Sequence, residues 1–462
     1  MTIPAVGSAW EVPSLVWGLK AGQGGAVRQE SPLGFVVQES RLLSEAELAA
    51  AFAESGPWNG DDLEVWTQSL AQSLSSQRAD YLDAIRVSTG FALGDCEEVF
   101  DSTLEFVKGF KTRKIEEHET VRTLERDLHV VEYPWGTVAA VLPQNAFFSL
   151  ALTVLLNGLS TGNRVVLRAP TGGLRIGAML AQSLTSAGFP PACFSVVLAD
   201  AGNFIEAWAG SSTPCLLHYM GSSARAPDLL QRSWTSGKPI LIDGTGNTWM
   251  FVDRDQDPEE AASTVWKGSI RYNGETCTSI NGAIVHPDVF DALTAALRTH
   301  VDVCRYGCDV NAEVGPLFNT RQAAEMRLVT ERSNGTEHRA GNDAAGVFAP
   351  TLVVNPSWDS ELVREGVFAP AVWVAPGSVD DFERNWNLNQ YPLCAGVLSQ
   401  VSETVARIKR LPNASRIVIN GDPSVEDPME PWGAYPRCGL NPVGAWDKKY
   451  LRCVQMDLPR PG

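Results

Sequence analysis

Short continuous apolar runs alternate with longer stretches of helical spacing through the middle of this chain, a pattern that predicts parallel strands separated by covering helices. The strands fall at about 164–168, 194–199, 214–220 and 239–243, and the helices at about 147–160, 174–188, 203–209 and 223–235, a doubly wound α/β order. After Gly246 the alternation restarts with a strand at 248–252, a helix over 258–270, a turn around Cys277, a strand at 280–286 and a helix over 288–300. That predicts a second α/β unit. The first hundred residues read instead as helical: Ser44-Glu45-Ala46-Glu47 has capping-box spacing before an Ala/Leu-rich segment, and helical periodicity returns over about 59–86 and 89–110. From residue 128 a strand over Leu128–Glu132, a break at Pro134-Trp135-Gly136 and a strand over Thr137–Leu142 are consistent with a hairpin or an edge pairing. The tail from Asp422 is rich in Pro, Gly and Trp and ends in a short strand, Tyr450–Met456, suited to pairing with another subunit.

A chain of 462 residues that is 44% hydrophobic can bury a large core and is expected to form two or three domains. Its longest apolar stretch, Ala146–Leu156, is too short to cross a bilayer, and the N-terminus lacks a basic segment followed by an apolar one, so a cytoplasmic location is expected. With 54 acidic against 37 basic residues the formal charge is −17, which repels phosphate backbones and leaves small molecules or proteins as the expected partners. Nine cysteines without a C-x-x-C pair indicate neither a disulfide framework nor a zinc site, and no metal is expected. The Cys304/Cys308 pair lacks partners for a metal, and none of the six histidines lies in a motif. His218 reads as a packed strand residue.

Cys277 carries the chemistry. It lies in Asn273-Gly274-Glu275-Thr276-Cys277-Thr278-Ser279, downstream of the nucleotide-type βαβ run. A thiolate can capture a carbonyl carbon as a tetrahedral adduct or hold an acyl group as a thioester, and each state has a partner step that moves hydride. The combination suggests a cysteine enzyme that exchanges hydride with a nicotinamide. Taken alone, a cysteine between threonines reads more simply as a small buried hydrophobe.

The surrounding motifs, in order, resemble the aldehyde dehydrogenase superfamily over most of the chain. Pro134-Trp135-Gly136-Thr137-Val138 looks like its entry strand, Leu142-Pro143-Gln144-Asn145 stands for its Pro-Trp-Asn, and Gly162-Asn163-Arg164-Val165-Val166-Leu167-Arg168 resembles its Gly-Asn-x-Val-Val-x-Lys. Gly221-Ser222, Gly315-Pro316-Leu317, Phe368-Ala369-Pro370 and Pro431-Trp432-Gly433 resemble further landmarks, and Asp243 through Cys277 can be laid on the family pattern without a gap. The resemblance implies a Rossmann-type cofactor domain (1–116 and 137–245), a catalytic α/β domain (246–437) and a small oligomerisation element (117–136 and 438–462) of a homodimer or homotetramer. It also implies NAD or NADP as cofactor.

Within that resemblance Cys277 is the nucleophile, and Asn145, with the Cys277 backbone N–H, holds the oxyanion. Asp243 falls where hydrolytic members carry the Glu that activates water; a structural Asp at a strand end is an equal reading, and anchoring on Gly244 would put Ile242 there and leave no base. Gly244-Thr245-Gly246-Asn247-Thr248 looks more like the CoA-acylating branch. Gly221 and Ser222 are expected at the cofactor pyrophosphate. Arg168 stands at a ribose-binding Lys and Thr171 where NAD-preferring members often have Glu. A cation with no carboxylate nearby tolerates a 2′-phosphate, so NADP is slightly favoured. Gly366 replaces the Glu that usually binds the nicotinamide ribose, with Glu365 one residue earlier and Phe368 beyond. Ala146 and Ser149 leave room in the substrate tunnel, Thr276 and Thr278 flank the nucleophile, and Glu426, with Asp422, Asp427 and Glu430, forms either an acidic rim for a cationic substrate or a solvated loop.

Three functions stay open: interconversion of an aldehyde and an acyl thioester, with CoA or an acyl-carrier protein as partner; hydrolytic aldehyde oxidation with Asp243 as base; and a scaffold that has lost catalysis.

Overall fold

In the computed structural model, described for residues 11–12, 14–53, 58, 60, 62–112, 117–122, 126–344 and 346–459, the apolar runs become two open sheets. The first runs Trp432–Ala434, Gly439–Gly444, Ile240–Asp243, Cys215–Met220, Thr137–Val141, Arg164–Ala169, Phe194–Leu198, Ser14–Val16 and Leu19–Ala21. From Ile240–Asp243 to Phe194–Leu198 the strands are parallel. Winding reverses direction between Thr137–Val141 and Cys215–Met220, which opens a crevice at their carboxyl ends, where ligands of such sheets bind. Thr137–Val141 and Phe194–Leu198 are buried at every residue, as strands covered on both faces must be. Helix Phe147–Ser160, buried on most of its surface, packs between this sheet and the helices Leu93–Gly109 and Leu174–Ser186.

The second sheet runs Thr336–Arg339, Thr351–Val354, Ala371–Pro376, Ile280–Val285, Thr248–Val252, Cys394–Leu398 and Arg416–Ile419, parallel except for its first strand. The doubly wound unit and the second α/β unit are therefore as expected. The capping box is present, with Ser44 Oγ accepting from Glu47 N and Glu47 accepting from Ser44 N.

Two expectations do not hold. The first hundred residues are not helical throughout: short strands occupy Ser14–Val16, Leu19–Ala21, Ala26–Glu30 and Val36–Arg41 before the helices begin. The strands flanking Pro134-Trp135-Gly136 do not form a hairpin. Arg126–Pro134 pairs with Glu117–Arg122 and with Leu451–Pro459 of the same chain, whereas Thr137–Val141 takes two parallel neighbours in the large sheet. Gly136, at φ 101°, turns the chain from one sheet into the other. Among the described residues no helix is long and apolar enough to cross a membrane.

The C-terminal tail returns to the first sheet through Asn163. This fully buried amide accepts from Gly136 N at 3.0 Å and donates to Thr161 Oγ1 at 2.9 Å and to the Tyr450 carbonyl oxygen at 2.8 Å. Replacing it with alanine leaves buried backbone groups unpaired, so Asn163→Ala is expected to lose about 2–4 kcal/mol. The readout is the urea midpoint at unchanged slope; a loss below about 0.5 kcal/mol would contradict this role.

Candidate active site

Cys277 is presented by a strained turn. Helix Pro258–Ile270 starts at Asp257, whose carboxylate accepts from Glu259 N and Glu260 N, both at 3.0 Å. After the helix, Tyr272 (φ 53°), Asn273 (φ 57°) and Gly274 (φ 66°) lie consecutively in the left-handed region. Tyr272 N donates to Asp95 at 2.9 Å, while the buried Asn273 donates to the Pro316 carbonyl oxygen at 3.1 Å and accepts from Gly315 N at 2.8 Å. Only glycine fits at 274, where a Cβ would lie 2.3 Å from the Ala369 carbonyl oxygen. Glu275 is fully buried and accepts from Phe318 N at 3.2 Å; burial raises its carboxyl well above the ordinary range and favours the neutral form.

A cavity of ≈ 590 Å³ opens on the sulfur side of this turn. Its wall includes Cys277, Asn145, Asp243, Gly221, Ser222 and Phe368, and also Ala146, Ser149, Thr276 and Glu426. These predicted residues are brought together from both α/β units. Asn145 donates one amide N–H to the Glu275 carbonyl oxygen at 2.7 Å, so its second N–H is available to the cavity. Gly246 lets the loop after Asp243 approach the nucleophile: a Cβ there would lie 2.0 Å from the Cys277 carbonyl oxygen.

Four predicted residues do not line the cavity. Thr278 is buried and donates its hydroxyl to Glu426. Arg168 donates to the Ala199 carbonyl oxygen at 3.0 Å, and Thr171 is exposed at the start of the short turn Thr171–Gly173. The expectation that Arg168 has no carboxylate nearby is not met, because Asp200 is close enough to favour its charge. That carboxylate also caps helix Ala201–Gly210 through Gly202 N and Asn203 N. Glu365 lies toward Tyr391, and Gly366, at φ 78°, occupies a position where a Cβ would lie 2.1 Å from Asn281 Oδ1, so no side chain fits there.

Asp243 is enclosed. His218 Nε2 lies 2.6 Å from Oδ2, Trp432 Nε1 donates to Oδ1 at 3.1 Å, and Asn441 Nδ2 reaches Oδ1 at 3.0 Å and Oδ2 at 2.8 Å. His218 Nδ1 meets the Tyr450 hydroxyl at 3.0 Å, and Lys449 donates to Asn441 Oδ1 at 2.9 Å. Burial lowers the Lys449 ammonium to about 8. Of these partners Trp432 lies in the Pro431-Trp432-Gly433 landmark, while for the others the one signal is a histidine inside the buried strand Cys215–Met220, where a polar ring needs a partner.

The Cys277 thiol is pushed well above its ordinary range by burial, with the Glu426 and Asp243 carboxylates adding to the effect. A raised thiol pKa means less thiolate at neutral pH. Alkylation of Cys277 by iodoacetamide without cofactor should therefore be slower at pH 7 than that of free cysteine and keep rising with pH beyond about 8.5. Peptide mass spectrometry measures it, and a half-maximal rate below that pH would contradict the assignment.

The cavity fits a nicotinamide cofactor on structural grounds. It lies at the reversal of strand order, where ligands of such sheets bind, and Gly221 and Ser222 stand on its wall ahead of helix Ala226–Ser236. Residues 48–453 match the aldehyde dehydrogenase family. The 3-sulfolactaldehyde dehydrogenase of Priestia aryabhattai is 25% identical over 320 residues, spanning 68% of this chain and 67% of that protein. The fold is similar to the crystal structure of an aldehyde dehydrogenase from Brucella melitensis biovar abortus 2308, with a TM-score of 0.90 at 17% identity and 100% of both chains covered. It is also similar to 1-pyrroline-5-carboxylate dehydrogenase from Thermus with bound NAD, with a TM-score of 0.88 at 16% identity over 98% of this chain and 93% of that one. A match over most of the chain, with a cysteine turn and a cofactor crevice meeting in one cavity, shows that this protein belongs to the aldehyde dehydrogenase family of oxidoreductases.

Proposed function

We propose that this oxidoreductase interconverts an aldehyde and an acyl thioester through an acyl group carried on Cys277. The observation that supports the thioester reading over the hydrolytic one is the enclosure of Asp243. Both carboxylate oxygens accept hydrogen bonds from His218, Trp432 and Asn441, so the group standing at the water-activating position has little capacity left to take a proton. A thiol acceptor removes the need for that water.

The residues divide the work simply. Cys277 Sγ attacks the carbonyl carbon, and the oxyanion is met by the free N–H of Asn145 and the Cys277 backbone N–H, each such donor contributing about 3–4 kcal/mol to lowering the barrier. Gly221 and Ser222 would lie against the cofactor pyrophosphate, and Phe368 forms part of the same cavity wall. A nicotinamide bound in this cavity would supply the hydride chemistry, with Cys277 holding the carbonyl carbon that exchanges hydride with it. Arg168 as a cation and Thr171 in place of a carboxylate favour a 2′-phosphate, and Asp200 near Arg168 moderates that preference, so NADP and NAD are both accepted. Among the residues lining the cavity there is no Lys, Arg or His to neutralise an anionic substrate.

The acceptor is tested with aldehyde and oxidised cofactor in the absence of thiols. The expected result is one equivalent of reduced cofactor per chain and then arrest, with turnover restored by CoA or pantetheine. Asp243→Asn should lower the rate less than about tenfold, against the 10²–10⁴ typical of losing a general base. Sustained release of free acid without a thiol, abolished in Asp243→Asn, would establish the hydrolytic reading instead.

A further inference from the structure

Enclosing Asp243 leaves the proton of Cys277 without an acceptor, and a second carboxylate in the cavity supplies one. Glu426 lies on the segment between strands Arg416–Ile419 and Trp432–Ala434 and lines the same cavity as Cys277. Its Oε1 accepts from the hydroxyl of Thr278, the residue that follows the nucleophile. Among the described residues, Thr278 is the one hydrogen-bond donor seen on Glu426, in contrast to the His218, Trp432 and Asn441 groups around Asp243.

The segment is held in place on both sides of Glu426. Arg416 donates to the Pro423 carbonyl oxygen at 2.5 Å and the Val425 carbonyl oxygen at 2.8 Å, and reaches Glu430 at 3.2 Å. Asp422 faces Arg271, at the start of the nucleophile turn, at 3.5 Å. The carboxylate is thus tied to the element that carries the sulfur.

We propose that Glu426 is the proton carrier of acyl transfer to Cys277. As the Sγ–carbonyl carbon bond forms, Glu426 takes the thiol proton; as the carbon–sulfur bond of the incoming thioester breaks, the same proton passes to the departing sulfur. The thioester and Cys277 thiol become acyl-Cys277 and a free thiol, with no change of oxidation state and the carboxylate regenerated. This rests on the thioester reading of Cys277. Burial holds the Glu426 carboxyl above its ordinary range against Thr278 and Arg416, closer to the pH at which a proton carrier works best.

The test compares full-length wild type, Glu426→Gln and Glu426→Asp, using octanoyl-pantetheine, a neutral thioester, without cofactor. Two rates are measured on each: acylation of Cys277 by intact mass, and alkylation of Cys277 by iodoacetamide across pH. The groups facing the thiol are Glu426, Asp243 and Cys394, and those facing Glu426 are Thr278, Arg416 and Glu430. Removing a negative neighbour should make the thiol ionise more readily, so Glu426→Gln alkylates faster at pH 7. Its acylation should nevertheless fall about 10²–10⁴-fold, with partial recovery in Glu426→Asp. If acylation instead rises together with alkylation, or falls less than about tenfold, Glu426 acts through charge alone and the proposal is overturned. A wild-type enzyme that takes up no acyl group on Cys277 would refute the underlying thioester reading, whatever the variants do.

Discussion

The cavity depends on three consecutive residues held in the left-handed region of the backbone. Tyr272 and Asn273 each bear a side chain there, at a cost of about 1–2 kcal/mol apiece, a sizeable fraction of the roughly 5–15 kcal/mol that holds a domain folded. The turn persists because its surroundings fix it: Asp95 takes the Tyr272 N–H, Asn273 is bonded at both ends of its amide to 315–316, and Gly274 lies against the Ala369 carbonyl. Each constraint comes from a different part of the chain. The position of Cys277 is therefore set by contacts from three separate parts of the chain, and the strain lies in the turn that presents it.

A second dependence runs through the C-terminal tail. It returns to the edge of the first sheet beside Ile240–Asp243, bringing Trp432, Asn441, Lys449 and Tyr450 around a single carboxylate. A buried network of this kind is stable when every member is paired, and here the carboxylate oxygens are used up in pairing. Fold and the proposed chemistry thus meet at Asp243, because the bonds that close the sheet edge also occupy acceptor sites of its carboxylate. Glu426 belongs to the segment that leads into this tail, so the same return path that encloses one carboxylate carries another into the cavity.

Much of the architecture was legible in the amino-acid order for a physical reason. Parallel strands covered on both faces read as unbroken apolar runs, and Thr137–Val141 and Phe194–Leu198 are such strands. The turn around Cys277 was legible from its composition, and Gly366 stood out as a departure that Asn281 and Asn247 now account for sterically. Ser14–Val16 and Leu19–Ala21 carry too few residues for a period of two to register, Ala26–Glu30 and Val36–Arg41 do not alternate apolar with polar, and the apparent hairpin at Pro134-Trp135-Gly136 failed because sequence neighbours were assumed to be sheet neighbours. Least legible was the environment of Asp243, whose partners His218, Trp432 and Asn441 are 25, 189 and 198 residues away. Local pattern carries no record of contacts at that separation, so the hydrogen bonds around this carboxylate could be read only in three dimensions.

The central claim is that Cys277, held by that turn, carries the acyl group. The most direct measurement is peptide mapping after reaction with an isotope-labelled acyl thioester, comparing wild type with Cys277→Ala. The account predicts one hydroxylamine-labile acyl group per chain, confined to the peptide containing Cys277 and missing from the variant. A label on any other cysteine, or one that survives in Cys277→Ala, would contradict it.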